Sequence, residues 1–269
     1  MTYRRALLLL LAAFLSLPAF AADPPSSGGG SMVKIKPKKS SSDGPIEGGG
    51  LLAPDADLID APTSAVLDYG GYSSRTRFYS RGGLLQYVSF GVYQGVNIGG
   101  SMAVDSLIGS DHGVRVRAPN AQVKWRFYDG DHWLPSLAVG YDGQGNDYDS
   151  VARRYNNRQR GFFVGATQEL GVPGLQAHPS LNISDFDSNA IFASIPFSYN
   201  IKDKVLLMME WDNIQNFFDS RINAGFRVFI TSHFAADFDI RAIGQGGYYA
   251  NGDSRGPERI IQLRYSANF

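Results

Sequence analysis

The chain has 269 residues, 31 glycines, no cysteine and an aromatic share of 13%, and its 25 basic residues balance its 25 acidic ones. The lack of cysteine excludes disulfides, thiolate metal sites, cysteine nucleophiles and a lipid-modified bacterial N-terminus, and zero net charge argues against nucleic acid, which draws a basic excess. A mean hydropathy of -0.17 with one long apolar run excludes a multi-span helical membrane protein, but not a membrane β-barrel, whose alternating strands average to modest hydropathy.

Arg4 and Arg5 precede the apolar run 6–17, Pro18 ends it, and Ala19-Phe-Ala21 places small residues where a signal peptidase reads. This pattern predicts a secretory signal over 1–21, cleaved after Ala21 or Ala22, because the run falls short of the ~20 residues a helical span needs. Residues 22–60 are read as a flexible periplasmic linker, the stretch to residue 50 being rich in Pro, Ser, Gly and Lys. Lys34, Lys36, Lys38 and Lys39 can touch an anionic polymer or lipid headgroups, although a charge run of this kind is ordinarily a solvated linker.

The remainder, 61–269, is read as one barrel. Apolar and polar residues alternate in runs of about ten, the period-2 sign of strands. Twelve strands are expected, near 73–80, 84–93, 95–104, 119–128, 134–142, 160–169, 175–184, 189–201, 203–212, 220–230, 233–243 and 258–269. The long connections, 105–118, 142–159, 213–219 and 244–257, all fall at odd positions, and every even-numbered connection is short. An outer-membrane barrel sorts its loops in this way: short periplasmic turns, longer outer loops and an even strand number. The expected fold is thus all-β, a transmembrane antiparallel up-and-down barrel in the outer membrane of a Gram-negative-type bacterium. In the last strand Ile261, Leu263, Tyr265, Ala267 and Phe269 share one face, and the terminal Phe resembles the insertion signal of such barrels. The expected partners are membrane lipid, lipopolysaccharide and the barrel-insertion machinery.

Alternation assigns the faces. Val123, Trp125 and Phe127 should face lipid and Lys124 and Arg126 the lumen. Val205, Leu207, Met209 and Trp211 should face out, and Leu206, Met208, Glu210 and Asp212 in. Phe234, Ala236, Phe238, Ile240 and Ala242 should face out, with Asp237, Asp239 and Arg241 inside. A basic residue on the lipid face near mid-bilayer costs about 2–4 kcal/mol, which pins these registers. Hairpin counting sets Arg227 opposite Asp237. Setting Phe234 against Phe269 sets Asp239 opposite Arg264. Arg75 and Arg77 then join Arg264 where the barrel closes. These charges are expected to neutralise one another; at twelve strands they can either line a narrow pore or close it.

Chemistry is sparse. His178 and Ser180 point inward on one strand, but no third group marks a nucleophile. Glu210 with Asp212, and Asp237 with Asp239, are same-face carboxylate pairs of the kind glycosidases use, and ion pairing explains them more simply. The loop from Asp142 to Asp149 is oxygen-rich but lacks a calcium-ligand spacing, so no metal and no cofactor are expected. Arg153, Arg154, Arg158 and Arg160 in the longest loop form a candidate contact for phosphates or acidic sugars.

Four segments carry a family resemblance: Val88-Ser-Phe-Gly91 with Asn97-Ile-Gly99, Arg126-Phe-Tyr-Asp-Gly130, Leu134-Pro-Ser-Leu-Ala-Val-Gly140 with the following Tyr-Asp-Gly-Gln-Gly145, and Asn182-Ile-Ser-Asp-Phe-Asp187. They resemble YjbH-type outer-membrane barrels associated with exopolysaccharide production, although this chain is much shorter and has no cysteine for a lipid anchor. The resemblance implies an outer-membrane location and a link to surface-polysaccharide export, and it transfers no catalytic residue. The functional reading is non-enzymatic: a narrow channel or an export accessory. The alternatives are a closed scaffolding barrel and a lipid- or glycan-acting hydrolase.

Overall fold

An alternating strand exposes a row of N–H and C=O groups on each edge, and in lipid these groups have no water to bond. A ring of strands removes the edges, and the chain forms one. The computed structural model describes residues 55–109, 113–131, 133–143, 148–149, 154–155, 161–183, 191–215, 220–245 and 256–268. Its strands are Gly71–Tyr79 (β1), Gly83–Tyr93 (β2), Val96–Asp105 (β3), Asn120–Tyr128 (β4), Ser136–Asp142 (β5), Gly161–Glu169 (β6), Leu175–Ala177 and Ser180–Ile183 (the two halves of β7), Ile191–Ile201 (β8), Val205–Asp212 (β9), Arg221–Phe229 (β10), Phe234–Ile243 (β11) and Glu258–Asn268 (β12). Each pairs antiparallel with its sequence neighbours, and β1 pairs with β12 to close a twelve-stranded barrel.

The seventh strand, expected unbroken over 175–184, is interrupted at His178-Pro179. Proline has no N–H for the ladder, so the pairing is carried past it by His178 N–H to Pro196 O (2.8 Å) and Ala166 N–H to Pro179 O (2.9 Å). Two long loops hold short strands of their own: Arg115–Val116 beside β3, and Tyr148–Asp149 paired with Arg154–Tyr155.

Two register expectations are corrected. Phe234 pairs with Tyr265 rather than with Phe269, so Arg264 stands opposite Ala235, and Asp239 opposite Ile260. β12 runs past the start of β11 to pair with the first residues of β1, and that stagger is what tilting strands into a closed barrel demands. At the far end of β11 a bulge lies between Ile222 and Ala224 of β10, and Ala242 adopts φ 54. Ala242 is therefore buried instead of facing out, and Ile243 takes the outward place.

Elsewhere the outer face is apolar. Val123, Trp125, Phe127, Leu207, Met209, Trp211, Phe226, Phe238 and Ile240 are all exposed, and Ile261, Leu263 and Tyr265 extend the same belt on β12. Phe269 lies outside the described residues. No helix among the described residues is long and apolar enough to cross a membrane, and the strands do so instead. A closed ring with an apolar girdle outside and charges inside is the architecture of an outer-membrane β-barrel.

The lumen is not empty. Residues 55–70 enter it ahead of β1, and the linker expectation for 55–60 is corrected accordingly. Asp57 and Pro62 form an isolated antiparallel bridge. Leu58 N–H donates to Ala61 O (3.1 Å) and Thr63 N–H to Ala56 O (3.3 Å), making a short hairpin. Leu58 and Ile59 at its tip are fully buried against Leu206 and Met208, with Phe229 alongside. Transfer of two such side chains out of water contributes about 1.5–3 kcal/mol each, more than a solvated linker could forgo.

Candidate functional site in the barrel lumen

The hairpin brings three carboxylates, Asp55, Asp57 and Asp60, into a lumen lined with basic side chains. Asp60 is shared by Arg77 Nη1 at 2.6 Å and Arg241 Nη1 at 3.0 Å. Asp57 is shared by Arg264 Nη1 at 2.6 Å and by Arg75. Arg75 also stacks its guanidinium 3.9 Å over the Tyr87 ring. Asp55 pairs with Arg227. Burial raises the cost of ionising Asp57, but Arg75, Arg264 and Lys124 outweigh it and hold its carboxyl below the usual aspartate range. Asp60 is depressed likewise, with Arg241 and Arg77 overcoming its burial. Asp55 goes the other way, because burial exceeds the pull of Arg227 and Arg264.

The main chain of the segment is bound as closely as its side chains. Lys124 Nζ donates to the carbonyls of Thr63 (3.2 Å) and Ala65 (3.3 Å), and to that of Ala56. Arg264 reaches Leu58 O (2.8 Å), Arg227 reaches Asp57 O (3.3 Å), and Arg77 bonds Ile59 O. In the opposite sense Glu210 Oε1 accepts the N–H groups of Ile59, Asp60 and Ala61, each at 2.9 Å. Three successive amides converging on one carboxylate form a backbone nest for an anion. Asn223 Nδ2 supports it with bonds to Glu210 Oε2 (2.9 Å) and Asp212 Oδ2 (2.8 Å).

The returning leg continues the pattern. Ser64 N–H donates to Thr167 Oγ1 (3.1 Å) and Leu67 N–H to Asn97 Oδ1 (3.1 Å). Gly70 N–H reaches Gly91 O (2.9 Å). A Cβ at Gly91 would lie 1.9 Å from Asp68 O, so this position on β2 must be glycine for the leg to pass.

The sequence-derived charges fall as follows. Arg227 stands opposite Asp237, and Nε to Oδ1 measures 2.7 Å. Arg264 joins the same carboxylate from β12 at 2.7 Å, diagonally rather than through the expected Asp239 pair. Asp239 instead accepts from Gln262 Nε2 (2.8 Å), and Gln262 Oε1 accepts from Arg77 Nε (3.1 Å). Arg241 also pairs with Glu258, a partner absent from the sequence expectation. Arg126 stands apart, paired with Asp129 at the short-turn end at 2.8 Å. The side chains of Arg153, Arg154, Arg158 and Arg160, and residues 144–147 of the Asp142–Asp149 loop, lie outside the described residues.

Among the described residues there is no hydrolytic constellation. His178 is buried, with Nδ1 3.0 Å from Thr167 Oγ1 and Nε2 2.9 Å from Ser198 Oγ, while Ser180 bonds Ser194 (2.6 Å). Among the described residues no cluster of His, Asp and Glu is placed to hold a metal. A cavity of about 150 Å³ remains between the hairpin and the wall, lined in part by Arg75, Tyr87, Asn97, Lys124, Phe163 and Arg264. Ordinary ligand pockets measure about 300–1,000 Å³, so this space is small for one.

No protein-family model matches the chain, and no curated protein sequence matches it significantly, so the YjbH-type resemblance gains no support there. Solved structures similar to it include the NanC porin, at 10% identity over 74% of this chain and 99% of that one (TM-score 0.38). Acinetobacter baumannii Omp33 matches at 10% identity over 75% and 99% (TM-score 0.35). A mutant of the Rh. blastica porin matches at 12% identity over 69% of this chain (TM-score 0.34), and the chain spans 55% of that porin's length. Every one of these scores is below 0.5, and the barrel is defined by its own strand pairing.

Proposed function

We propose that this outer-membrane barrel is a narrow, anion-preferring channel held shut by its own N-proximal hairpin. The observation that carries the reading is the shared clamping of Asp57 and Asp60 by Arg75, Arg264, Arg77 and Arg241. These contacts close the lumen at neutral pH, and their loss bares a strip of cations that attracts anions. The function is non-enzymatic: the carboxylate pairs and His178 are engaged in structural bonds. Membrane lipid and lipopolysaccharide are the partners that the apolar belt fits. An accessory role in surface-polysaccharide export rests on the sequence resemblance alone.

Single-channel recording in planar bilayers tests the gate. The wild-type chain should conduct weakly, and the Asp57→Asn/Asp60→Asn chain should show larger, anion-selective openings. Equal conductance in the two would remove the hairpin from any gating role.

A further inference from the structure

The hairpin is held in the manner of a bound peptide. Its three carboxylates account for only part of the binding. The wall also donates to six of its carbonyls, from Arg77, Lys124, Arg227 and Arg264. It accepts five of its amides, at Glu210, Thr167 and Asn97. Those groups stand on β1, β3, β4, β6, β9, β10 and β12, so the site is built into the barrel rather than into the segment that fills it.

We propose that the lumen is a binding site for an acidic peptide, with residues 55–68 as its resident occupant, and that an acidic peptide added from the periplasmic side takes the same place. The inference rests on the hairpin's being a removable gate. Both its legs lie at the short-turn end: Asp55 beside Arg227 near the end of β10, and Gly70 against Gly91 near the end of β2. Exchange therefore needs no chain threaded through the ring. The ligand class follows from Glu210. A polyuronate would match the guanidiniums, but it brings no run of adjacent amide N–H groups to that carboxylate and would face it with like charge. A peptide with aspartates spaced as Asp55, Asp57 and Asp60 satisfies both sets of groups. The tethered hairpin acts at an effective concentration of order millimolar, which masks the site in the intact protein.

The test uses the full chain in detergent and a fluorescent synthetic peptide with the sequence of residues 53–70, read by anisotropy. Binding to the Asp57→Asn/Asp60→Asn chain should be about a hundredfold tighter than to wild type, because the resident is loosened while the wall is untouched. Adding Lys124→Met to that chain, or replacing the peptide's aspartates by asparagine, should weaken binding at least about tenfold. Different gel migration of boiled and unboiled samples confirms the barrel in each variant, and a Leu58→Ser chain replaces the double variant if that one fails to fold. If the variant conducts but binds no peptide, the peptide site is refuted and the gate stands. If conductance is unchanged as well, both readings fall. If polygalacturonate binds as tightly as the peptide, the ligand class is overturned.

Discussion

Arg75 on β1 and Arg264 on β12 stand directly opposite each other at the seam of the barrel, two like charges on one face, and Asp57 from the hairpin bonds both. Like charges opposed across a strand pair destabilise it, so this seam is complete only with the hairpin in place. Asp57→Asn should weaken hairpin seating by about 2 kcal/mol. That is less than the 3–5 of a fully buried pair, because Asp57 retains some exposure. Proteolysis within 55–68 should accelerate about thirtyfold, and Arg75→Gln on the same chain should recover part of the loss.

Glu210 makes a second prediction. Glutamine can keep an oxygen in the Oε1 place but then turns its NH₂ toward Asn223 Nδ2 and the Asp60 N–H, both donors to Oε2, so Glu210→Gln should loosen the tip by about 1.5–3 kcal/mol, the worth of hydrogen bonds to a charged group. Hydrogen exchange at the amides of Ile59, Asp60 and Ala61 should quicken, while exchange at Leu67, which bonds Asn97, stays slow.

The depressed carboxyls of Asp57 and Asp60 fix the sign of a pH effect. A group that is more acidic docked than free binds its proton preferentially in the free state. Its contribution to docking is complete above the ordinary aspartate value of 3.8 and is lost as pH falls through and below it. Asp55, raised on docking, opposes this and strengthens docking on acidification. Its opposing effect falls above the ordinary aspartate value and the loss of the two depressed groups below it, so conductance should rise as pH falls from about 4 toward about 2. In the Asp57→Asn/Asp60→Asn chain the rise should vanish.

Gly91 offers a steric test that leaves every charge in place. Gly91→Ala drives a methyl group into Asp68 O. The returning leg should shift, and conductance should increase, with the heat-modifiable barrel retained. Unchanged conductance would mean that the leg can move aside without unseating the tip.

Much of this molecule is written in its alternation. Each of the twelve strands shows its period because lipid outside and charge inside leave little freedom for a residue type at each position. Arg227 opposite Asp237 followed from the short turn between β10 and β11. The pairing of Arg264 did not, because stagger at the closing seam is a property of the ring and not of any hairpin. The hairpin escaped for a different reason. The glycine- and lysine-rich run before it gives the region the composition of a linker, and one short apolar pair, Leu58-Ile59, has no period to reveal it. Two signals were present nonetheless. Leu206 and Met208 point into a polar lumen and need an apolar neighbour, and the inward basic residues outnumber the inward acidic ones. Both imbalances are corrected by the segment that fills the barrel.

The inserted segment, 55–70, carries charge of one sign only, and its two ends, Asp55 beside Arg227 and Gly70 against Gly91, both lie toward the short-turn end. A voltage across the bilayer therefore pushes it in a definite direction, with about 2.3 kcal/mol per elementary charge for each 100 mV that the charge traverses. On the proposed gating the barrel should rectify: a field drawing anions toward the short-turn side should pull the segment free, and the reverse field should drive it home.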